Sequence, residues 1–179
     1  MNVKKTFPLT KAYQLLEPGP VVMVTTADQE KANIMTMSWH MMVDFEPPII
    51  AIVMSNQNFS FKALSKTKEC VINIPSVELA KQAVGVGNCH GTRINKFKKF
   101  DLTPQPCSYV DVPMINECFA NIECKVIDAH LANKYNIFIL EGLKAWQTPS
   151  KKRQRMIHHC GNGVFVVDGA IIKIPSNKK

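Results

Sequence analysis

Three short stretches of the 179-residue chain carry side chains able to bind or orient a ligand. The first, "SNQNFSFK" at 55–62, sets Ser55, Asn56, Asn58 and Ser60, followed by Lys62, at the start of an expected helix. N–H groups in a first helical turn lack partners within the helix, so they gather anions. A helix start capped by Asn58 or Ser60 accounts for the same residues. The second stretch, "ANIMTMSW" at 32–39, reads as a strand with Met35 and Met37 on one face and Thr36 and Ser38 on the other. A buried hydroxyl without a partner costs roughly 1–3 kcal/mol. This row therefore calls for a planar ligand with polar edges, for water, or for neighbouring backbone. In the third, "CHGTRINKF" at 89–97, Gly91 permits close backbone approach, and Thr92, Arg93 and Lys96 add donors and positive charge. An ordinary basic surface loop has the same composition.

Other chemistries find less support. No Ser-His-Asp arrangement or paired-carboxylate pattern stands out. The six cysteines, Cys70, Cys89, Cys107, Cys118, Cys124 and Cys160, form no CxxC pair. Without an export signal they are expected to be free thiols, several of them small buried hydrophobes. "CH" at 89–90 and "HHC" at 158–160 contain metal-ligand types but not zinc-finger spacing, and His158 and His159 would face opposite ways on a strand. A Cys/His metal-binding protein is thus the minor alternative. The net charge of +8 gathers at 96–99, 151–155 and 177–179. "KKRQR" at 151–155 lacks the interleaved aromatics of a single-strand nucleic-acid surface, so these clusters read as solvated. No apolar run reaches membrane-spanning length, about 18 residues. The expectation is a cytoplasmic chain with neither a nucleic-acid nor a membrane partner.

The elements that must position these groups are mostly strands. Apolar or alternating runs mark strands at 21–27, 32–39, 49–55, 70–75, 119–126 and 135–146. In the 119–126 run Ala120, Ile122, Cys124 and Val126 share one face and Asn121, Glu123 and Lys125 the other, as in a half-buried antiparallel strand. Thr10 is expected to cap a short helix that ends at "PGP" 18–20, and Ser76 one that carries Glu78 in its first turn. "DQEK" at 28–31 reads as a turn, "FEPP" at 45–48 as a break, and "VFVVDGAIIKI" at 164–174 as a hairpin closed by Asp168-Gly169. Seven or eight strands, three short helices and hairpin links predict an antiparallel closed barrel in one domain over 1–179. No GxGxxG opens a helix and no βαβ rhythm appears, which disfavours a Rossmann fold.

Taken in order, "ANIMTMSW", "FEPPIIAI", "SNQNFSF", "ECVINIP", "CHGTRINKF" and "NECFANIECKV" resemble the flavin reductase-like family, which includes flavoredoxins. "HHCGNGVFVVDG" resembles the tail of flavoredoxin-like members. The resemblance implies an FMN-binding split β-barrel and a homodimer with the flavin near the subunit interface. It implies that Asn33, Met35, Thr36, Met37, Ser38 and Trp39 line the isoalloxazine, with Trp39 a structural wall. Ser55, Asn56, Asn58, Phe59 and Ser60, with Lys62, would hold the phosphate. Cys89, His90, Gly91, Thr92 and Lys96 would complete the site. Asn58 stands where many relatives have arginine, His90 where they have serine and Asn95 where they have aspartate, so Lys62 or Lys96 would supply the charge. The implied activity passes electrons from NAD(P)H or a protein donor through FMN to free flavin, a ferric chelate or a redox partner. The alternative is a flavoredoxin-type carrier that oxidises no nicotinamide itself.

Overall fold

The computed structural model describes residues 4–175 except 17, 29, 30, 93 and 151. Arg93, the centre of the 28–31 turn, Lys151 and the 177–179 cluster lie outside the described residues.

The main sheet is antiparallel and draws on distant parts of the chain. Its strands are β1 (Lys5–Phe7), β2 (Val22–Asp28), β3 (Lys31–Met37), β4 (His40–Phe45), β5 (Pro48–Val53), β6 (Glu69–Ile74), β9 (Ala120–Asp128) and β10 (Ile137–Gln147). Between β6 and β9 lie two short strands, β7 (Pro104–Gln105) and β8 (Met114–Ile115), which pair with each other. The main order is β3-β2-β6-β9-β10-β5-β4, with β1 also on β10. Its two terminal strands, β3 and β4, are neighbours in sequence, separated only by Ser38 and Trp39. That link spans at most about 11 Å. The ends of the sheet must therefore meet, and the sheet curls into an antiparallel split barrel with its seam between β3 and β4.

The inward faces supply one apolar core that includes Val24, Met37, Ile52, Ile72, Ile122 and Leu140. Each such side chain contributes on the order of 1.5–3 kcal/mol by leaving water. Leu64 of α2 (Phe59–Thr67) joins this core. Outside β3, α3 (Ala80–Gly87) and α4 (Lys96–Lys99) cover Met23 and Ile34 with Ala83, Val86 and Phe97. Two further short helices are α1 (Tyr13–Leu16) and α5 (Ala132–Tyr135). Among the described residues no helix is long and apolar enough to cross a membrane.

Several local expectations give way to long-range packing. Thr10 caps nothing: it lies inside a 3-10 turn, Leu9–Lys11, that precedes α1. Ser76 does sit before a helical segment, but that segment is a 3-10 turn, Val77–Leu79, leading into α3, and its side chain makes no cap bond. The strand β9 is not half-buried in its first half. Asn121 and Glu123 are fully buried, because residues 107–115 fold back over that face. Asn73 Oδ1 accepts from Asn121 Nδ2 and from the Ile115 N–H, both at 2.8 Å. The Glu123 carboxylate accepts from the Ser108 and Tyr109 N–H groups and from Trp146 Nε1.

The terminal hairpin also differs from expectation. Asp168-Gly169 closes no hairpin; β12 (Phe165–Val167) pairs with β11 (Ile157–His159) instead. Gly161, Asn162 and Gly163 form the turn, all at positive φ, which glycine and asparagine adopt most readily. Asp168 locks the open end: its carboxylate accepts from His158 Nε2 at 2.8 Å, the Met156 N–H at 3.1 Å and Arg153 at 3.3 Å.

Candidate functional site

The three ligand-competent stretches converge at one end of the barrel. Alternation along β3 points Lys31, Asn33, Met35 and Met37 to one side. Met37 enters the barrel core and Met35 packs against it. Asn33, buried one turn of the pleat away, donates from Nδ2 to Ser60 Oγ in the first turn of α2 at 2.9 Å. The backbone of Gly91 lies directly against the same amide: a Cβ placed there would come 2.3 Å from Asn33 Oδ1. Strand, helix start and glycine loop thus meet at a single side chain.

Around this contact stands a partly open rim. Lys31 holds its ammonium 5.2 Å from the Phe59 ring centroid and 3.4 Å from the Thr92 carbonyl. Phe59 meets His90 edge to face at 6.4 Å, and His90 Nδ1 lies 3.0 Å from Thr92 Oγ1. Directly opposite Asn33 in the ladder, Thr26 has a fully buried hydroxyl with no partner among the described residues. Asn58 occupies the N-cap position of α2, yet neither it nor Ser60 caps the helix through its side chain. The loop before it is held instead by Ser55, whose Oγ accepts from the Gln57 N–H, and by Asn136, whose Oδ1 accepts from the Asn56 N–H. Lys62 projects into solvent one turn further on.

Other candidates lie apart from this rim. The Thr36 hydroxyl faces away from the barrel interior and donates to the Ala83 carbonyl of α3 at 2.5 Å, so backbone satisfies it. Lys96 is buried, and its ammonium donates to the Ile34 and Val86 carbonyls at 2.8 and 2.9 Å. Burial is the main influence lowering its pKa. That lysine clamps α4 to β3 and does not reach out as an arm. Cys89 lies beside α4, its Sγ 3.3 Å from Lys99 Nζ. Ser38 is half-buried in the seam link, while Trp39 is 71% exposed and so is not the buried wall of a slot within one chain.

Lys31 and Thr26 were not among the residues singled out from sequence. Lys31 sits two residues before Asn33 on the same strand face, and that periodicity is the one signal that could have found it. Half of the thiols are packing groups, while Cys160 is exposed. Cys70, Cys118 and Cys124 are fully buried, and burial pushes Cys107 up to about 12. Among the described residues no three His, Cys, Asp or Glu side chains gather as a metal-binding group.

The fold is an antiparallel split barrel, and the chain belongs to the flavin reductase like domain family, whose model matches residues 15–166. It is 30% identical over 176 residues to uncharacterized protein YddH of Escherichia coli K12, covering 90% of this chain and 93% of that one. An uncharacterized protein of Archaeoglobus fulgidus is 30% identical over 112 residues, 63% of each chain. Among solved structures, an FMN-binding domain of flavin reductases-like enzyme from Shewanella baltica OS155 superposes with a TM-score of 0.90 at 24% identity, covering 97% of this chain and 98% of that one. Flavoredoxin of Desulfovibrio vulgaris (Miyazaki F) gives 0.80 at 23% identity, with 89% and 92% covered.

Proposed function

We propose that the chain binds FMN at the Asn33–Ser60–Gly91 convergence and acts as a flavin-dependent oxidoreductase. The observation that carries this reading is the meeting of three separate segments on one buried amide. The donor chemistry also suits the cofactor. The first turn of α2, free of any side-chain cap, together with Ser55 and Asn58 offers neutral donors for a phosphate, and the helix dipole favours negative charge there. Lys31 and Lys62 supply the positive charge in place of Lys96, which is occupied by two carbonyls. The unpartnered Thr26 hydroxyl beside Asn33 gives a further polar group at the same end of the barrel. Bound FMN would supply reversible acceptance of two electrons. The protein's part is to orient that group, limit water access through the barrel core, and present donors to its polar edge.

NADH or NADPH is the proposed electron donor, with free flavin, a ferric chelate or a redox partner as acceptor. The working unit is a homodimer in this reading. Its support is the exposed apolar group Trp39, Met41 and Val43 on and beside terminal strand β4; past the register shift between Met42 and Asp44, Phe45 meets the Tyr13 ring at 5.0 Å instead. A cytoplasmic location goes with the six cysteines, all of them free.

Visible spectra of the purified protein, alone and during FMN titration, test the reading. A flavin absorbance band or saturable binding is expected; neither appearing would overturn it. Anaerobic mixing with NADH and with NADPH should bleach the bound flavin band. If only dithionite bleaches it, the protein is an electron carrier of the flavoredoxin kind.

A further inference from the structure

The end of the described chain carries a second uncovered apolar surface. After Asp168 the segment 170–174, Ala-Ile-Ile-Lys-Ile, belongs to no strand, and Ile171, Ile172 and Ile174 are all exposed, Ile172 at 76%. Its composition is that of a strand, and its backbone has no ladder partner among the described residues. Such a segment is a template for pairing with another surface. Arg153 donates to the Gly169 carbonyl and Arg155 to that of Asp168, so residues 170–174 leave the fold beside the 153–156 segment. His158 of β11 lies 3.1 Å from the Gly19 carbonyl, and His40 of β4 lies 2.7 Å from the next carbonyl, that of Pro20. The exposed apolar residues of β4 and those of the tail are both left uncovered among the described residues.

We propose that residues 170–174 of one copy lie across the apolar face of β4 in a second copy, each chain lending its arm to the other. Charge complementarity selects this occupant. Lys173 stands among the tail's isoleucines, and Asp44 and Glu46, both exposed, flank Phe45 at the far end of β4. A two-fold axis repeats the contact, so each dimer contains it twice and both stripes and both tails leave water together. Trp39, mostly exposed in a single chain, becomes a central anchor of that interface. The proposal rests on the homodimer reading above.

Charge reversal on the full-length chain tests it. Lys173→Glu alone should weaken dimerisation about tenfold in sedimentation equilibrium, because the repulsion acts twice per dimer. Asp44→Lys with Glu46→Lys should do the same. An equimolar mixture of these two variants should restore wild-type dimer strength, since every arm then meets opposite charge on its partner. Unchanged dimerisation in the single-side variants, or no rescue on mixing, overturns the arm exchange while leaving the dimer itself intact. A wild-type chain that stays monomeric removes the homodimer reading instead. Absorbance of bound flavin, followed in the same samples, reports separately on FMN binding.

Discussion

The side chain of Asn33 fills the space that a Cβ on Gly91 would need. The added carbon would fall 2.3 Å from Asn33 Oδ1 and 2.7 Å from its Cγ. Asn33 cannot simply swing aside, because its Nδ2 is tied to Ser60 and the residue is buried. Gly91→Ala should therefore cost about 1–3 kcal/mol of stability through overpacking. It should weaken FMN and riboflavin alike, since the distortion reaches the whole site. Urea unfolding and flavin titration check both parts; a variant of wild-type stability and affinity would show that the loop yields freely.

The Asn33–Ser60 hydrogen bond couples the strand to the helix start. Ser60→Ala leaves a buried amide donor unpaired and should cost about 1–3 kcal/mol, whereas Asn33→Ala removes the donor itself. A double-mutant cycle should return a coupling of about 0.5–3 kcal/mol, as expected for residues in direct contact. In the FMN reading Ser60→Ala also weakens FMN roughly tenfold, equivalent to about 1.4 kcal/mol, and riboflavin much less. A coupling near zero would mean that the two side chains act independently.

His40 should make stability fall on the acid side of neutrality. Its Nε2 bonds to the Pro20 carbonyl, while Nδ1 is buried with no partner among the described residues, so a second ring proton finds no acceptor there. Burial lowers its pKa from the ordinary 6.5, partly opposed by the Pro20 bond. The unfolded chain therefore binds the proton more readily than the folded one. Stability from this group is fully present above about pH 7. It declines as the pH drops through 6.5 toward the lowered native value. His40→Gln keeps a donor near Pro20 but cannot titrate. Urea midpoints at pH 7.5 and 5.5 should fall less for the variant than for the wild type, and equal declines would exonerate His40.

Glu123 anchors the covering loop through three donors to one buried carboxylate. Glu123→Gln replaces one acceptor oxygen with an N–H that faces other N–H groups. The loss of charged hydrogen bonds should cost about 1.5–3 kcal/mol. Amide exchange should quicken first at Ser108 and Tyr109. Exchange that stays slow there would place the loop's hold in Val110 and Val112 alone.

Much of the barrel is visible in sequence because its inward faces are regular. Val22, Val24, Ile72 and Ile74 lie in short apolar runs, and Ile50 and Ile52 mark β5. Strand β4 escapes such reading because only Met42 of "HMMVDF" packs against the core while Met41, Val43 and Phe45 are exposed, so composition and burial disagree. The polar side of β9 looks wet in sequence and is dry in the fold, because the segment covering it comes from elsewhere in the chain. At the site, Asn33, Ser60 and Gly91 stand out through ordered motifs. Lys96 has the right charge for an anion, but nothing local reveals that two carbonyls already occupy it. Lys31 is missed for the opposite reason: a lysine at the start of a strand looks like surface until Phe59 and Thr92 are placed beside it.

The pairing of β1 with β10 joins Lys5 to Gln147 and Phe7 to Ala145. During synthesis the first strand emerges long before its partner. At about 5–20 residues per second, the ribosome needs on the order of ten seconds to deliver β10. For that interval residues 5–7 have no native strand to pair with. Strands β2 and β3, consecutive in sequence and paired from Val22–Met37 to Asp28–Lys31, can form at once, so the seam side of the barrel is built early and the β1 side last.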